Sequence, residues 1–387
     1  MKFIAKTLYG LEKVLAGELS EIGASDIVIL NRAVSFSGDE IMLYRANYCL
    51  RTALSVLVPV AGFRIKSAQE LYRKSREIPW DKYMDSGFTF SIVPVIKSSL
   101  FSHTGYAGLL LKDAIADWFR ERTGSRPSVD VKNPGIVFNL HISNDEVSVS
   151  LDSSVVPLYK RGYRREQGTA PLNEVLAAGI VLMSGWDGTT PFYDPMCGSG
   201  TILVEAGLIA SGICPGRFRG SFGFQKWKTY NPPLFDEVKK ESEKKIINQD
   251  PFIFGSDVSE EAVQFALENI RSAGLEDIIR VKRENFRDLE PGVDNGVLVM
   301  NPPYGERIRV ADTGSLYEMI GTTLKHNFPG FKAWLIKSDM DSLRHVGLKP
   351  ASKTTLFNGS LECLLVKYEL YPGSRKSSKT RILTYEP

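Results

Sequence analysis

Cysteine and histidine are scarce in this chain of 387 residues, and neither is spaced as it would be for a metal or a disulfide framework. The four cysteines contain no Cys-x-x-Cys pair, which argues against both kinds of site. The four histidines show no ligand spacing either. These residues are Cys49, Cys197, Cys214, Cys363, His103, His141, His326 and His345. We therefore expect no bound metal.

Long apolar runs are also absent from the sequence. None reaches the roughly 20 residues that a membrane-spanning helix needs. The segment from Met1 to Lys6 lacks the apolar core of a signal peptide. We therefore expect a cytoplasmic protein with no membrane partner. Because 387 residues exceed one ordinary core, two or three domains are expected.

The chain has no strong excess of either charge, since its net charge is +3. The distribution is uneven, however. Residues 1–165 carry 22 Lys and Arg against 17 Asp and Glu, whereas residues 166–387 carry 26 against 28. A basic front half is compatible with binding to a nucleic acid, although a balance of +5 is a weak signal.

The front half predicts two small α+β regions. In residues 1–62 the predicted element order is βαββαβ, which is typical of a ferredoxin-like domain. Residues 63–155 predict a second region, which starts with five basic residues and one acid between positions 64 and 76. Residues 156–170 are basic, aromatic and punctuated by glycine, which indicates a linker whose side chains can reach phosphates and bases.

From residue 171 onward, predicted strands and helices alternate. This alternation indicates a doubly wound, mostly parallel sheet, and the last two strands predict an antiparallel ending. Residues 212–232 are irregular and rich in Gly, Arg, Phe and Trp. They resemble an insertion, and the sequence assigns it no role.

Polar side chains stand where successive strands of this second half end. They are Asp194, Asp257, Asn285 and Asn301. Ligands of open α/β sheets bind at the carboxyl ends of the strands. The glycine loop in residues 194–201 has Leu203 where a dinucleotide fingerprint needs glycine, and it lacks the lysine of a phosphate loop. We therefore expect a ligand that is not held by its phosphates.

The chemistry of these positions indicates one ligand. A carboxylate at Asp194 suits an ammonium group, and an acid at Asp257 suits ribose hydroxyls. Asn285 beside Phe286 is suited to an adenine edge. An ammonium, a ribose and an adenine together describe S-adenosylmethionine, which we predict as the cofactor.

The stretch Asn301-Pro302-Pro303-Tyr304 follows the predicted buried strand 297–300. Proline has no N–H for a central strand, so the chain must turn out of the sheet here. The Asn301 amide oxygen and the Pro302 carbonyl can both accept from one –NH2 group, and the Tyr304 ring can stack on a flat base. By its own chemistry this motif fits any planar amino group.

These residues closely resemble class I S-adenosylmethionine-dependent methyltransferases whose fourth strand ends in Asn/Asp-Pro-Pro-Phe/Tyr. The stretches 194–201 and 301–307 look like the RNA guanine-N2 methyltransferases that carry a THUMP domain. Residues 160–164 and 170–174 look like the interdomain signature of the bacterial 23S rRNA guanine-N2 methyltransferase group, in its single-methyltransferase form. The resemblance covers nearly the whole chain. One departure is Asn285, where the family usually carries Asp.

The resemblance implies an α/β fold in which a class I (Rossmann-like) domain follows an α+β ferredoxin-like plus THUMP region. The expected domains are a ferredoxin-like domain (1–62), an RNA-binding THUMP domain (63–155), a basic linker (156–170) and the methyltransferase domain (171–387). The expected catalytic residues are Asn301, Pro302, Pro303 and Tyr304. The expected cofactor residues are Pro171, Leu172, Asp194, Met196, Cys197, Gly198, Gly200, Thr201, Asp257, Val258, Asn285, Phe286 and Asn301. The expected RNA-binding residues are Arg64, Lys66, Arg73, Lys74, Lys160, Arg161 and Arg164.

The predicted activity is therefore methyl transfer from S-adenosylmethionine to the exocyclic N2 of a guanosine. The expected partner is 23S rRNA or its assembly precursor. Four alternatives stay open: a tRNA guanine-N2 methyltransferase, a DNA adenine-N6 methyltransferase, a protein glutamine-N5 methyltransferase and a non-catalytic RNA-binding module.

Overall fold

The computed structural model describes residues 1–165, 172–247, 252–303, 310–338 and 342–372, with only the backbone of 310–313. The described chain divides into two compact units. One unit comprises residues 1–7, 15–160 and 215–244. The other comprises residues 8–14 and 161–214 together with the chain from 245 onward. Among the described residues, no helix combines the length and apolarity needed to cross a membrane.

The strands and helices before residue 160 fall into two consecutive groups. The first group is β1 (Lys2–Lys6), α1 (Glu12–Glu21), β2 (Ser25–Leu30), β3 (Ala33–Ser37), α2 (Glu40–Cys49) and β4 (Ser55–Arg64). The second group is α3 (Ala68–Ser75), β5 (Thr89–Lys97), α4 (Thr104–Thr123), β6 (Ser128–Val129), β7 (Ile136–Ser143) and β8 (Glu146–Asp152). The βαββαβ prediction for the start of the chain is confirmed.

Strands from both groups join in one eight-stranded sheet of the first unit, in the order β2-β3-β1-β4-β8-β7-β5-β6. Strand β8 shows why such a sheet forms, because Val147, Val149 and Leu151 alternate with polar residues and are buried. They pack in one core with Trp118 of α4. Alternation at a period of two is what places one face of a strand in a core.

Most of the predicted insertion 212–232 belongs to the first unit, which includes the segment 215–244, whereas residues 212–214 belong to the second. The segment 215–244 contains two short 3-10 turns, Pro215–Phe218 and Gly223–Lys226, and then α7 (Pro232–Glu243). Its aromatic rings surround Tyr44 of α2: the centroid distances are 4.7 Å to Phe224 and 5.7 Å to Phe235. The Tyr44 hydroxyl accepts from the Asn231 N–H at 3.0 Å. The role of the irregular segment is therefore to complete an aromatic core.

We expect Tyr44→Ala to lower the free energy of unfolding by about 3–5 kcal/mol, because it removes a large, fully buried ring from that core. Tyr44 is 1% exposed, whereas Tyr106 is 50% exposed and is the control, Tyr106→Ala. Urea unfolding followed by circular dichroism measures both. A loss for Tyr44→Ala that does not exceed the control would contradict this account of the segment.

The second unit holds the alternating elements. They are α5 (Glu174–Ser184), β9 (Phe192–Asp194), α6 (Thr201–Ala210), β10 (Ile253–Asp257), α8 (Glu260–Ser272), β11 (Ile279–Arg283), β12 (Val297–Met300), α9 (Val310–Asn327), β13 (Lys332–Lys337), β14 (Ser352–Asn358) and β15 (Leu361–Glu369). The sheet order is β11-β10-β9-β12-β13-β15-β14. All pairs from β11 to β13 are parallel, and β15 is antiparallel to both of its neighbours. The predicted doubly wound sheet with an antiparallel ending is confirmed.

The sequence pattern predicts helices at residues 171–183, about 234–247 and 315–326, and the structure begins each of them at a different residue. Helix α5 begins at Glu174 because the Asn173 side chain accepts from the N–H groups of Val175 and Leu176. Helix α7 starts two residues earlier than the predicted Leu234, since Asn231 caps it, and it ends at Glu243. Helix α9 extends further toward its N-terminus than the predicted start at residue 315. Side-chain caps, which apolar patterns ignore, set the first two starts.

Candidate active site at the carboxyl edge of the parallel sheet

The polar strand-end residues converge on one cavity. Parallel strands bring their carboxyl ends to the same sheet edge, and β9, β10, β11 and β12 end there. The cavity has a volume of about 690 Å³. It is lined by eleven of the predicted site residues: Leu172, Asp194, Met196, Cys197, Gly198, Thr201, Asp257, Val258, Asn285, Phe286 and Asn301. Pro303, predicted to be catalytic, lines it as well.

Two other predicted residues, Gly200 and Pro302, are described by the structure but do not line this cavity. Gly200 is the N-cap of α6. Pro302 is buried at the end of β12. Pro171 and Tyr304 lie outside the described residues, so their predicted contacts are not part of this geometry.

The glycine loop needs two left-handed residues, Gly198 with φ +52° and Gly200 with φ +78°. Only glycine adopts that conformation readily. A Cβ on Gly200 would also lie 3.1 Å from the Cβ of Ala266 in α8. Glycine at this position therefore lets α6 approach α8 closely, which sets the start of α6 beside the cavity.

Asp194 is a buried carboxylate at the end of β9, with 1% of its surface exposed. Its Oδ1 accepts from the Met196 N–H at 3.4 Å. Burial, together with the charge of Asp257, raises the pKa of Asp194 well above its usual range. A cation in the cavity would restore the charged form, because it offsets both the desolvation and the repulsion.

Asp257 is held by two backbone groups. Its Oδ2 accepts from the Gly198 N–H at 3.0 Å, and its Oδ1 accepts from the Ser259 N–H at 2.9 Å. These bonds fix the orientation of the carboxylate at the start of α8. Each oxygen retains further acceptor capacity, which is the property that ribose hydroxyls require.

Asn285 caps the short 3-10 turn Phe286–Asp288, because its Oδ1 accepts from the Arg287 N–H at 3.0 Å. This bond orients the amide at the cavity wall and leaves its Nδ2 as a donor and one oxygen lone pair as an acceptor. The Phe286 ring is 1% exposed and packs 5.5 Å from the Phe328 ring, centroid to centroid. Phe286 therefore serves the hydrophobic core as well as the cavity.

Asn301 carries the most informative atom of the site. Its Oδ1 is buried and accepts no hydrogen bond from any group that the structure describes. An unsatisfied buried oxygen costs about 1–3 kcal/mol, so its presence calls for an explanation such as a bound partner. The oxygen lies at the end of β12 on the cavity wall, where a bound amino group can satisfy it.

Cys197 also lines the cavity, but its chemistry argues against a nucleophile. Burial and the nearby carboxylates of Asp194 and Asp257 raise the pKa of the Cys197 thiol well above its usual range. The thiol therefore stays protonated and acts as a small apolar group. No group of His, Cys, Asp and Glu within the described ranges is arranged to hold a metal ion.

The helices contribute lining residues that the sequence prediction missed. Helix α8 supplies Glu261, Ala262 and Phe265, and α9 supplies Leu316 and Met319. Their apolar members look like ordinary core positions in the sequence. Which of them faces the cavity depends on how each helix crosses the sheet, and no local signal encodes that.

The structure corrects the RNA prediction for two arginines. Arg161 is 2% exposed and pairs with the equally buried Glu205 at 3.4 Å. Arg164 is directed inward as well, and its Nε lies 3.1 Å from Glu174 Oε1. A buried arginine that is already paired does not contact a phosphate, because leaving the pair would cost more than a surface contact returns.

The other predicted basic residues lie at or near the surface. Arg64, Lys66, Arg73 and Lys160 are exposed, and Lys74 is half-buried, with its Nζ donating to the Arg64 carbonyl at 2.7 Å. Arg64 and Arg73 form ion pairs with Glu146 and Glu77.

Comparison with known proteins agrees with this architecture. The family model described as "RMKL-like, methyltransferase domain" matches residues 161–367. A THUMP domain matches 66–152, and an RlmL ferredoxin-like domain matches 2–57.

Curated relatives cover nearly all of this chain. A protein of Synechocystis sp., provisionally named an RNA methyltransferase, is 39% identical over 95% of this chain and 97% of its own length. The ribosomal RNA large subunit methyltransferase K/L of Syntrophotalea carbinolica is 36% identical over 96% of this chain. This chain spans only 54% of that protein, so it corresponds to about half of it.

One similar solved structure contains a bound ligand. The crystal structure of SMU.472 complexed with SAH is 29% identical, with a TM-score of 0.87 over 96% of this chain and 99% of the other. SAH is what S-adenosylmethionine becomes when its methyl group is lost. The buried acid Asp194, the fixed carboxylate of Asp257 and the amide of Asn285 at the cavity wall fit such a ligand, which supports the predicted cofactor, S-adenosylmethionine. The chain belongs to the RMKL-like methyltransferase family and combines that domain with a THUMP domain and an RlmL-type ferredoxin-like domain.

Proposed function

We propose that this chain methylates the exocyclic N2 of a guanosine in 23S rRNA. The observation that carries the proposal is the buried Oδ1 of Asn301, which lines the cavity and has no hydrogen-bond partner among the described residues. The names of the K/L relatives support large-subunit ribosomal RNA as the substrate. The THUMP domain supports a polynucleotide, and the Asn-Pro-Pro-Tyr sequence supports an amino nitrogen as the acceptor atom.

The guanine amino nitrogen is a poor nucleophile, because its lone pair is delocalised into the ring. Asn301 Oδ1 would accept one of its N–H bonds and the Pro302 carbonyl the other. Both contacts raise the electron density on nitrogen and direct its lone pair. The bound cofactor supplies an electrophilic methyl group. The acceleration comes from positioning and from preorganised polar groups.

The remaining catalytic steps need little from the protein. The new C–N bond would form as the bond between the methyl carbon and the donor sulfur breaks, which would leave SAH; the nitrogen would then give its extra proton to water. We propose that Tyr304 stacks on the base, as its place in the motif predicts. The base must be in a single strand or leave its stack to enter the site.

Pro302 is suited to its role because a proline fixes the backbone that carries the accepting carbonyl. Cofactor contacts follow the cavity: Asp194 for the ammonium group, Asp257 for the ribose, and Asn285 for the adenine edge. Ser199 and Val258 also line the cavity.

The proposed RNA contacts are Arg64, Lys66, Arg73, Lys74 and Lys160. Arg64 and Arg73 have side chains that are 72% and 63% exposed, and their ion pairs are solvated. Exposed pairs contribute only about 0–1 kcal/mol, so a phosphate can replace the carboxylate partner at little cost. Binding through such residues should weaken steeply with added salt.

The experiment is methylation in vitro with a tritiated donor and three acceptors: 23S rRNA from cells that lack the enzyme, bulk tRNA from the same cells, and DNA. Nuclease digestion and mass spectrometry then identify the product. We expect N2-methylguanosine in 23S rRNA only. Labelled N2-methylguanosine in tRNA would contradict 23S rRNA as the substrate. N6-methyladenine in DNA would contradict guanine N2 as the acceptor atom.

A further inference from the structure

A polar cluster in the interior holds the first residues of the methyltransferase domain. Arg161 and Tyr163 both reach Glu205 Oε1, at 3.4 and 3.0 Å. Arg164 lies 3.1 Å from Glu174 Oε1, and the side chains of that pair are 14% and 8% exposed. Two arginines therefore face two glutamates in the interior of the second unit. The cluster is neutral, and a buried set of charges requires such balance.

Arg164 differs from Arg161 in what else it holds. Its Nη2 donates to the Leu172 carbonyl at 3.0 Å and to the Thr201 Oγ1, also at 3.0 Å. Its Nε faces Glu174, the first residue of α5. One planar guanidinium thus joins the approach to α5 with the first residue of α6.

Leu172 and Thr201 both line the cofactor cavity. They belong to different segments, 29 positions apart in the sequence. The hydrogen bonds of Arg164 join two walls of the cavity and set the distance between them.

We infer that Arg164 is a positioning residue for the methyl donor, holding Leu172 and Thr201 at the separation that the donor requires. It acts through these two residues. The inference rests on the proposed assignment of this cavity as the donor site. A displaced wall weakens binding because donor contacts depend on geometry at the scale of an ångström.

Lysine cannot take over this arrangement fully. Arginine uses two separate nitrogens, one for the carboxylate and one for the two cavity-wall oxygens, whereas lysine offers one. Arg164→Lys therefore keeps a positive charge for Glu174 but loses the bridge. Burial raises the pKa of Glu174 and the charge of Arg164 opposes that rise, so Arg164→Met additionally leaves Glu174 without its cation.

The test is calorimetric titration of the full-length protein with SAH. The variants are Arg164→Met and Arg164→Lys, and the matched control is Arg165→Met. Arg165 is the adjacent exposed arginine, whose Nε donates to Ser272 Oγ at 3.2 Å on the surface of α8. We expect SAH affinity to fall about 10- to 100-fold for Arg164→Met, less for Arg164→Lys, and not for the control.

Kinetics separates positioning from a general structural role. At saturating RNA, KM for the donor should rise in both Arg164 variants, while kcat at saturating donor stays near the wild-type value. Unchanged SAH affinity in a folded Arg164→Met protein would overturn the inference. A lower kcat with an unchanged KM would overturn it as well.

A variant that does not fold and a wild-type protein that does not bind SAH have different consequences for the inference. If Arg164→Met does not fold, Arg164→Lys decides, because wild-type SAH affinity and donor KM in that variant would also refute the inference. If the wild-type protein itself fails to bind SAH, the assignment of the donor cavity fails. In that case the proposed function is at fault before the role of Arg164 is reached.

Discussion

Replacing Asn301 with alanine is expected to lower methyl transfer about 10²- to 10³-fold at saturating donor, the loss that follows removal of one preorganised polar group. The Oδ1 of Asn301 is buried and lacks a partner among the described residues, so its one evident use is to accept from a bound amino group. Quenched single-turnover assays with the labelled donor and RNA measure the effect on the chemical step.

Stability distinguishes this variant from a damaged protein. The unsatisfied oxygen is a cost to the folded state, so Asn301→Ala should unfold at the same temperature as the wild type or above it. Asn301→Asp is the matched comparison, because it keeps an oxygen acceptor in the same place and should retain more activity than Asn301→Ala. Near wild-type transfer by Asn301→Ala would refute the proposed mechanism.

Asp194→Asn is expected to weaken donor binding by about 2–5 kcal/mol, because one partner of a buried charge pair is removed. The Asp194 carboxyl lies 1% exposed against the cavity, and its pKa is raised by burial and by Asp257. The ammonium group of the donor would be the cation that this carboxylate lacks. Calorimetry with SAH measures the loss, and unaltered affinity would contradict the assignment.

The same substitution should stabilise the donor-free protein by about 1–2 kcal/mol near neutral pH, as replacements of strained functional groups often do. The pKa of Asp194 is raised in the folded state, so the folded protein binds more protons than the unfolded chain. The stability contributed by the protonated carboxyl is complete below the unfolded pKa and is lost as pH rises through the folded pKa.

Thermal unfolding measured across pH, with and without SAH, checks the predicted direction of the change in stability with pH. Wild-type protein without donor should lose stability as pH rises above the usual range of a carboxyl group, and Asp194→Asn should lose less. SAH should oppose the loss in the wild type only. A donor-free variant that is less stable than the wild type at every pH would show that Asp194 is structural.

Much of the fold followed from local patterns. Alternating strands and helices indicated the doubly wound sheet, and the βαββαβ order indicated the ferredoxin-like start. Both could be identified because apolar residues recur with a different period in strands and in helices. Helix boundaries were less predictable. At Asn173 and Asn231 a single capping side chain decided where the helix begins.

The residues of the candidate site were also only partly predictable from the sequence. Asp194, Asp257, Asn285 and Asn301 were identifiable from the sequence because a polar residue just after a predicted strand is a local feature. The residues that α8 and α9 add to the cavity were not, since the face that a helix presents depends on packing.

The sequence alone determined the class of chemistry: polar acceptors at four successive strand ends, an Asn-Pro-Pro-Tyr turn and a glycine loop suited to a cationic ligand. Only the tertiary structure decided where Arg161, Arg164 and most of the insertion lie. Arg161 and Arg164 turn inward to buried glutamates, and segment 215–244 completes the core of the first unit. From the sequence alone, a charged or aromatic side chain can be placed on the surface or in the interior equally well. Its environment is set by partners that are tens or hundreds of residues away.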